Sequence, residues 1–271
     1  MIQPSMPADF LPFAHRLAEC SGVILKRFGH GVRGFESKSD SSPVTAIDRE
    51  VEAALRAAIA AEYPDHGILG EEFEPSNLDN EWVWVLDPID GTKQFIAGIP
   101  LYGTLIALAR NGFPVLGIID HPATGERWSA AEGTPALCNG RAVTTRARRS
   151  LPGSLMFTTS PEPFDDDERR AVSALRSEAA WCVYGAGCYG YARLASGQLD
   201  IGVEAGHDPF DYCALAPIIR AAGGVISDWE GRPLGLTSGQ RFVASATPEL
   251  HEEVLATLAR ELVSRPESVL R

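Results

Sequence analysis

The sequence predicts an α+β fold arranged as two lobes, and three features predict it. Residues 101–138 run LYGTLIALAR, Asn111-Gly112, FPVLGIID, His121–Gly125, RWSAAEGTPALC, which is the pattern of an antiparallel meander with Asn-Gly as its clearest hairpin signal. After about residue 153, short strands alternate with helices, as in an α/β layer. Between the two, TTRARRSLPG (Thr144–Gly153) breaks the pattern with a basic, proline-containing linker, which places the lobes at residues 1–145 and 146–271.

Each element follows from local pattern. From Asp9 to about Phe28, Phe10, Phe13, Leu17, Val23-Ile24 and Phe28 recur at helical spacing, and Gly29-His30-Gly31 closes the helix. A polar segment, ESKSDSSPVTAID, leads to a second helix over Asp48–Glu62, with Val51, Leu55 and Ile59 four apart and Tyr63-Pro64-Asp65-His66-Gly67 ending it. The short apolar stretch GILG then runs into Glu71-Glu72. An apolar run, Trp82–Leu86, reads as a buried strand that delivers Asp87 and Asp90 on either side of Pro88-Ile89, with Gly91-Thr92 opening a helix. Beyond the linker, strands are expected at 154–158, 180–184, 199–204, 224–228 and 241–245, and helices at 165–177, 187–196, 210–222 and 248–263.

Composition narrows the function. With 271 residues and 45% hydrophobic content the chain can bury a substantial core. A formal charge of −12 and a pI near 5.0 argue against nucleic acid or an anionic membrane as partner, so an anionic substrate needs locally supplied cations. The five cysteines (20, 138, 182, 188, 213) form neither a C-x-x-C pair nor a zinc spacing and read as reduced, and the six histidines are scattered. There is no 18-residue apolar run, and MIQPSMPADF lacks the regions of a signal peptide, so a cytoplasmic location is expected.

Four acidic spots stand at element ends: Asp48, Glu71-Glu72, Asp87 with Asp90, and Asp211. Taken singly, Asp48 reads as a cap, Glu71 as a loop carboxylate and Asp211 as a helix-start acid. Taken together they describe carboxylates converging in one cleft, where divalent cations would neutralise their mutual repulsion and a helix start would cradle a phosphate. No Cys or Ser sits in a nucleophile-elbow setting, which fits direct attack by water.

Lys38, Ser42-Pro43-Val44-Thr45-Ala46-Ile47-Asp48, Gly70-Glu71-Glu72, Asp87-Pro88-Ile89-Asp90-Gly91-Thr92, Glu204, Asp211 and Ala221-Ala222-Gly223-Gly224 follow one another along the chain. Through these motifs, over about residues 36–235, the chain resembles the inositol monophosphatase family of Mg²⁺-dependent phosphatases. The resemblance implies the layered αβαβα sandwich of the inositol monophosphatase and fructose-1,6-bisphosphatase type, two or three Mg²⁺ ions per site, and a homodimer. It also implies that Glu71, Asp87 and the Ile89 carbonyl hold a first ion, that Asp87, Asp90 and Asp211 hold a second, and that a third lies near Glu71. By the same resemblance Asp48 and Thr92, with Glu71 close by, orient and deprotonate the attacking water. Gly91 and Thr92 offer phosphate-binding N–H groups, and Glu204 contacts the alcohol of the substrate.

The text around GTKQFIAGIPLYGTLIAL and VEAGHDPFDYCAL is most similar to the histidinol-phosphate phosphatase branch, which implies L-histidinol phosphate as substrate. Two departures fall where the leaving group would lie. Gly187 replaces an acid before Cys188-Tyr189, and His207-Asp208 replaces Leu-Lys before Pro209-Phe210-Asp211, with Asp208 as a substitute acid and His207 as a polar wall residue. Inositol-1-phosphate and a 3′-phosphoadenosine nucleotide stay open as substrates, as does a metal-binding scaffold without turnover. Tyr102, Tyr189, Tyr191 and Trp229 read as packing aromatics.

Overall fold

Two β-sheets and three helical layers stack in the order helix, sheet, helix, sheet, helix, as the computed structural model shows for residues 6–28, 36–37 and 43–263. Gly29-His30-Gly31, Lys38 and Ser42 lie outside the described residues. The helices of the outer layer are α1 (Leu11–Lys26), preceded by a 3₁₀ turn at Pro7–Phe10, and α2 (Ala46–Glu62). Before α2 lies a two-residue hairpin of β1 (Glu36–Ser37) and β2 (Pro43–Val44).

The first sheet has seven strands in sequence order: β3 (Gly67–Gly70), β4 (Trp82–Asp90), β5 (Gly103–Arg110), β6 (Phe113–His121), β7 (Glu126–Ala131), β8 (Leu137–Cys138) and β9 (Arg141–Ala142). β3 pairs with β4 in parallel and the rest are antiparallel, so the expected meander is present and the β8–β9 hairpin extends it. A short helix, α3 (Thr92–Ala97), follows β4.

The second sheet has the order β11-β10-β12-β14-β13, from β10 (Leu155–Thr158), β11 (Trp181–Tyr184), β12 (Ile201–Glu204), β13 (Val225–Ser227) and β14 (Phe242–Ser245). β10 is parallel to both its neighbours, whereas β14 runs antiparallel to β12 and β13. Helices α5 (Gly187–Ala195), α6 (Pro209–Tyr212) and α7 (Leu215–Ala221) fill the space between the sheets. α4 (Asp166–Glu178) and α8 (Pro248–Val263) cover the far face.

The period of two along each strand builds this stack. In β4, Trp84 and Leu86 point into the cluster that also buries Phe13, Leu17, Leu55 and Ile59, and Val85 points the other way, toward Phe157, Tyr191 and Leu215. In the second sheet Met156 and Val203 face a third cluster with Leu175 and Leu250. The middle cluster therefore joins residues of both sheets.

Two expectations change. The strand expected to end at Leu86 runs on to Asp90, because its ladder to β5 breaks between Asp87 and Asp90 and resumes at Asp90–Gly103. Pro88 has no N–H to give a ladder, so it sits where the pairing is interrupted, as strand prolines do. The single helix expected over 210–222 is two, α6 and α7. Pro217 cannot bond the Cys213 carbonyl four residues before it and its ring crowds that carbonyl, so the helix breaks there.

Candidate metal centre and active site

The interrupted ladder makes a corner at the end of β4. Ile89 donates its N–H to Asp87 Oδ1 at 2.9 Å, a local bond in place of a cross-strand one. Ser21 on α1 donates to Thr104 at 2.5 Å, and Thr104 donates to the Pro88 carbonyl at 2.9 Å, so the corner is anchored from the outer helix through β5. The Ile89 carbonyl accepts from the Thr92 hydroxyl at 3.1 Å. Gly91, with φ of 88°, turns the chain from strand into α3, whose first N–H groups open toward the same space.

Glu71 reaches this corner because β3 and β4 are parallel: its N–H donates to the Leu86 carbonyl at 3.2 Å, setting it beside Asp87. The turn carrying it is held from below by Glu52, a buried carboxylate on α2. Glu52 accepts the Glu72 N–H at 2.7 Å and Arg56 Nε at 2.7 Å, and it fills the space a side chain on Gly70 would need. Sequence reasoning missed Glu52; its place one turn beyond Asp48 on the buried face of an amphipathic helix was the signal.

Asp211 arrives from the other half of the chain. Its Oδ2 accepts the Asp208 N–H at 2.7 Å at the start of α6, and its carboxylate oxygen comes within 4.8 Å of those of Asp87 and Asp90. The residue thus fills the helix-start role and the converging role at once. Burial pushes the Asp87 carboxyl well above the usual range, with the charges of Glu71, Asp90 and Asp211 and a hydrogen bond that its protonated form gives to Glu71 adding to it. Burial likewise raises Asp211, to about 6. Burial pulls the His207 imidazole down, but the Asp211 and Glu204 carboxylates and an Nδ1–H bond to the Ala205 carbonyl at 3.0 Å outweigh it, leaving its pKa raised.

These carboxylates share a cleft of about 570 Å³ lined from both halves of the chain, by Glu71 to Gln94 on one side and Thr159 to Asp211 on the other. Of the expected site residues, Glu71, Asp87, Ile89, Asp90, Gly91, Thr92, His207, Asp208 and Asp211 line it. Three are not among the residues that line it. Asp48 is buried in the first turn of α2, its Oδ2 accepting from the Thr45 N–H at 2.8 Å and hydroxyl at 2.5 Å. Glu204 is buried beneath Thr159, accepting its N–H at 2.7 Å and its hydroxyl at 2.8 Å, with Thr158 Oγ1 at 3.1 Å; burial raises its pKa. Gly187 lies against Asp90. The aromatics expected to pack do so: Tyr102 on Phe95, Tyr191 on Phe157, Trp229 near Phe164 and Tyr189 on His121.

An all-oxygen donor set crowded enough to raise the Asp87 and Asp211 carboxyls suits a hard divalent cation, and a helix start at its edge suits a phosphate. The layered fold and this centre define the class of phosphatases that work with metal ions held by carboxylates. The chain belongs to the Inositol monophosphatase family, whose sequence profile matches residues 7–263. It is 38% identical over 258 residues to the bifunctional phosphatase IMPL2, chloroplastic, of Arabidopsis thaliana, covering 92% of this chain and 75% of that protein. It is 38% identical over 237 residues to a histidinol-phosphatase of Chlorobaculum parvum, covering 87% of this chain and 91% of the relative. Among solved structures, an inositol monophosphatase from Zymomonas mobilis superposes with a TM-score of 0.86 at 38% identity, over 94% of this chain and 100% of that one. The protein is a phosphoric monoester hydrolase of a metal-dependent family. Among the described residues no helix is long and apolar enough to cross a membrane.

Proposed function

We propose that this phosphatase hydrolyses L-histidinol phosphate, with Mg²⁺ held by Glu71, Asp87, the Ile89 carbonyl, Asp90 and Asp211. The single observation that carries the chemistry is the meeting of Asp87, Asp90 and Asp211 within 4.8 Å beside the start of α3. Bound there, Mg²⁺ supplies Lewis-acid activation of water and neutralises charge on the phosphoryl group. The chain's residues do the rest. The Gly91 and Thr92 N–H groups hold phosphate oxygens, and Asp48 and Thr92, with Glu71 close by, orient and deprotonate the attacking water. No side chain needs to become phosphorylated.

The outer cleft favours a cationic alcohol. Beyond the ligand set, Glu162 and Asp208 line it, Glu204 lies behind Thr159, and Lys93 is paired with Glu162 at 3.5 Å. A protonated amino alcohol is attracted to such a wall, whereas neutral inositol gains nothing from its charge. His207 and Asp208 border the leaving group. The reading carries with it a cytoplasmic homodimer, which the exposed side chains of Trp181, Val183 and Tyr184 on edge strand β11 support.

The test is phosphate release from L-histidinol phosphate, inositol-1-phosphate and a 3′-phosphoadenosine nucleotide, each with and without Mg²⁺. Mg²⁺-dependent release fastest from L-histidinol phosphate is expected. A higher kcat/KM on either other ester would reassign the substrate, and no release from any of them would leave a scaffold without turnover.

A further inference from the structure

We propose that a second cavity, between α7 and strands β6 and β7, binds a free α-amino acid with an apolar side chain, Arg220 taking its carboxylate and Glu132 its ammonium group. None of the residues lining this cavity lines the catalytic cleft, so the proposal depends on neither the metal nor the substrate.

The cavity sits at a fault in the first sheet. Leu108 of β5 pairs with Leu116 but Ala109 pairs with Pro114, so Val115 is an extra residue and β6 bulges there. The Glu132 N–H donates to the Val115 carbonyl at 2.8 Å, which ties the end of β7 to the bulge. Pro217 and Arg220, three apart and so on one face of α7, lie across from it. The space enclosed is about 420 Å³, within the range of small-molecule sites. Buried Pro114 and Pro217 give it apolar walls, and the Phe113 ring is left 53% exposed, a surface that an apolar side chain would cover.

Two opposite charges at this cavity have no partner. Neither Arg220 nor Glu132 makes a hydrogen bond or ion pair among the described residues. Carboxylates are not scarce, since the chain has 36 acidic residues against 24 Lys and Arg. Burial takes more from the solvation of the Arg220 guanidinium than its neighbours return, which lowers its pKa. A guanidinium matches a carboxylate through two parallel N–H bonds. A simple anion would answer Arg220 but be repelled by Glu132. A zwitterion satisfies both charges, and an apolar side chain on it meets the proline and phenylalanine walls.

Binding is measured by titration calorimetry in a chelator, so that no metal takes part. The probes are L-phenylalanine, L-leucine, phenylpropanoate, which lacks the ammonium group, and phenylethylamine, which lacks the carboxylate. Both amino acids should bind wild type saturably at one site. Phenylpropanoate should bind about two- to fivefold more weakly than L-phenylalanine, and phenylethylamine at least about tenfold more weakly. Arg220→Met, which keeps an apolar stem, should weaken L-phenylalanine about 10- to 100-fold. Glu132→Gln should weaken it about two- to fivefold while leaving phenylpropanoate no weaker. A double variant, Glu162→Gln with Asp208→Asn, removes two charges from the catalytic cleft and should bind L-phenylalanine as wild type does.

No saturable uptake of either amino acid would overturn the proposal, as would undiminished affinity in Arg220→Met. A loss in the double variant would put the ligand in the catalytic cleft instead. Should circular dichroism show Arg220→Met unfolded, the wild-type protein decides alone: phenylethylamine bound as tightly as L-phenylalanine would refute the carboxylate contact.

Discussion

Asp87 on β4 and Asp211 on α6 bring their carboxylates within 4.8 Å although they come from different halves of the chain. Burial and neighbouring charge raise the pKa of both. Asp211→Asn should therefore lower Mg²⁺-dependent phosphate release by on the order of 10²- to 10³-fold. The amide oxygen can still accept the Asp208 N–H, so the start of α6 survives. Thermal unfolding in a chelator should show the variant at least as stable as wild type, since one crowded charge is gone; a lower Tm would mean that Asp211 serves the fold first.

Glu52 anchors the Glu71 turn from inside the protein. Glu52→Ala strips the acceptor from Glu72 N–H and leaves Arg56 without its buried partner, which should cost about 3 kcal/mol in denaturant unfolding. Glu52→Gln keeps an oxygen facing Glu72 and should cost less. Activity should fall at least about tenfold in the alanine variant through the displaced Glu71; unchanged kcat/KM in a folded protein would show that the turn holds itself.

The acidic outer wall predicts a split between substrates. Glu162→Gln and Asp208→Asn should each raise KM for L-histidinol phosphate about two- to fivefold, the worth of a solvent-exposed charge pair. KM for inositol-1-phosphate should stay unchanged. Equal effects on both esters would mean that the wall does not read charge.

Buried histidine links stability to pH. His251 bonds Ser227 at 2.8 Å and Ser245 at 3.1 Å, and burial lowers its pKa from 6.5 to about 4. His121 is lowered to about 4 for the same reason. Below pH 6.5 the unfolded chain takes up protons that the folded one refuses, so this stability is complete above 6.5 and is lost as pH falls toward 4. For His251 the loss amounts to roughly 3 kcal/mol. Urea unfolding between pH 7 and 4.5 should show a shallower decline in His251→Gln than in wild type; parallel curves would exclude His251 as the source.

The sequence by itself determined the local elements and the cast of acids. The 3.6 and 2.0 periods of apolar residues were enough for α1, α2, the meander and most strands after residue 153, because burial of one face is written into residue order. The DPIDGT corner and the helix-start position of Asp211 were legible for the same reason. Reach was not. That β4 continues through Pro88, that Glu52 holds the Glu71 turn, that Thr104 anchors Pro88 and that Cys188 grips Asp90 all depend on pairs far apart in the chain. Only the tertiary structure decided those pairings, and with them that Asp48 and Glu204 are buried outside the cleft lining while Asp208 is part of it. The physical reason is that a side chain's period fixes which face it lies on, whereas its partner is chosen by how sheets and helices stack, and stacking is a property of the whole core rather than of any window of sequence.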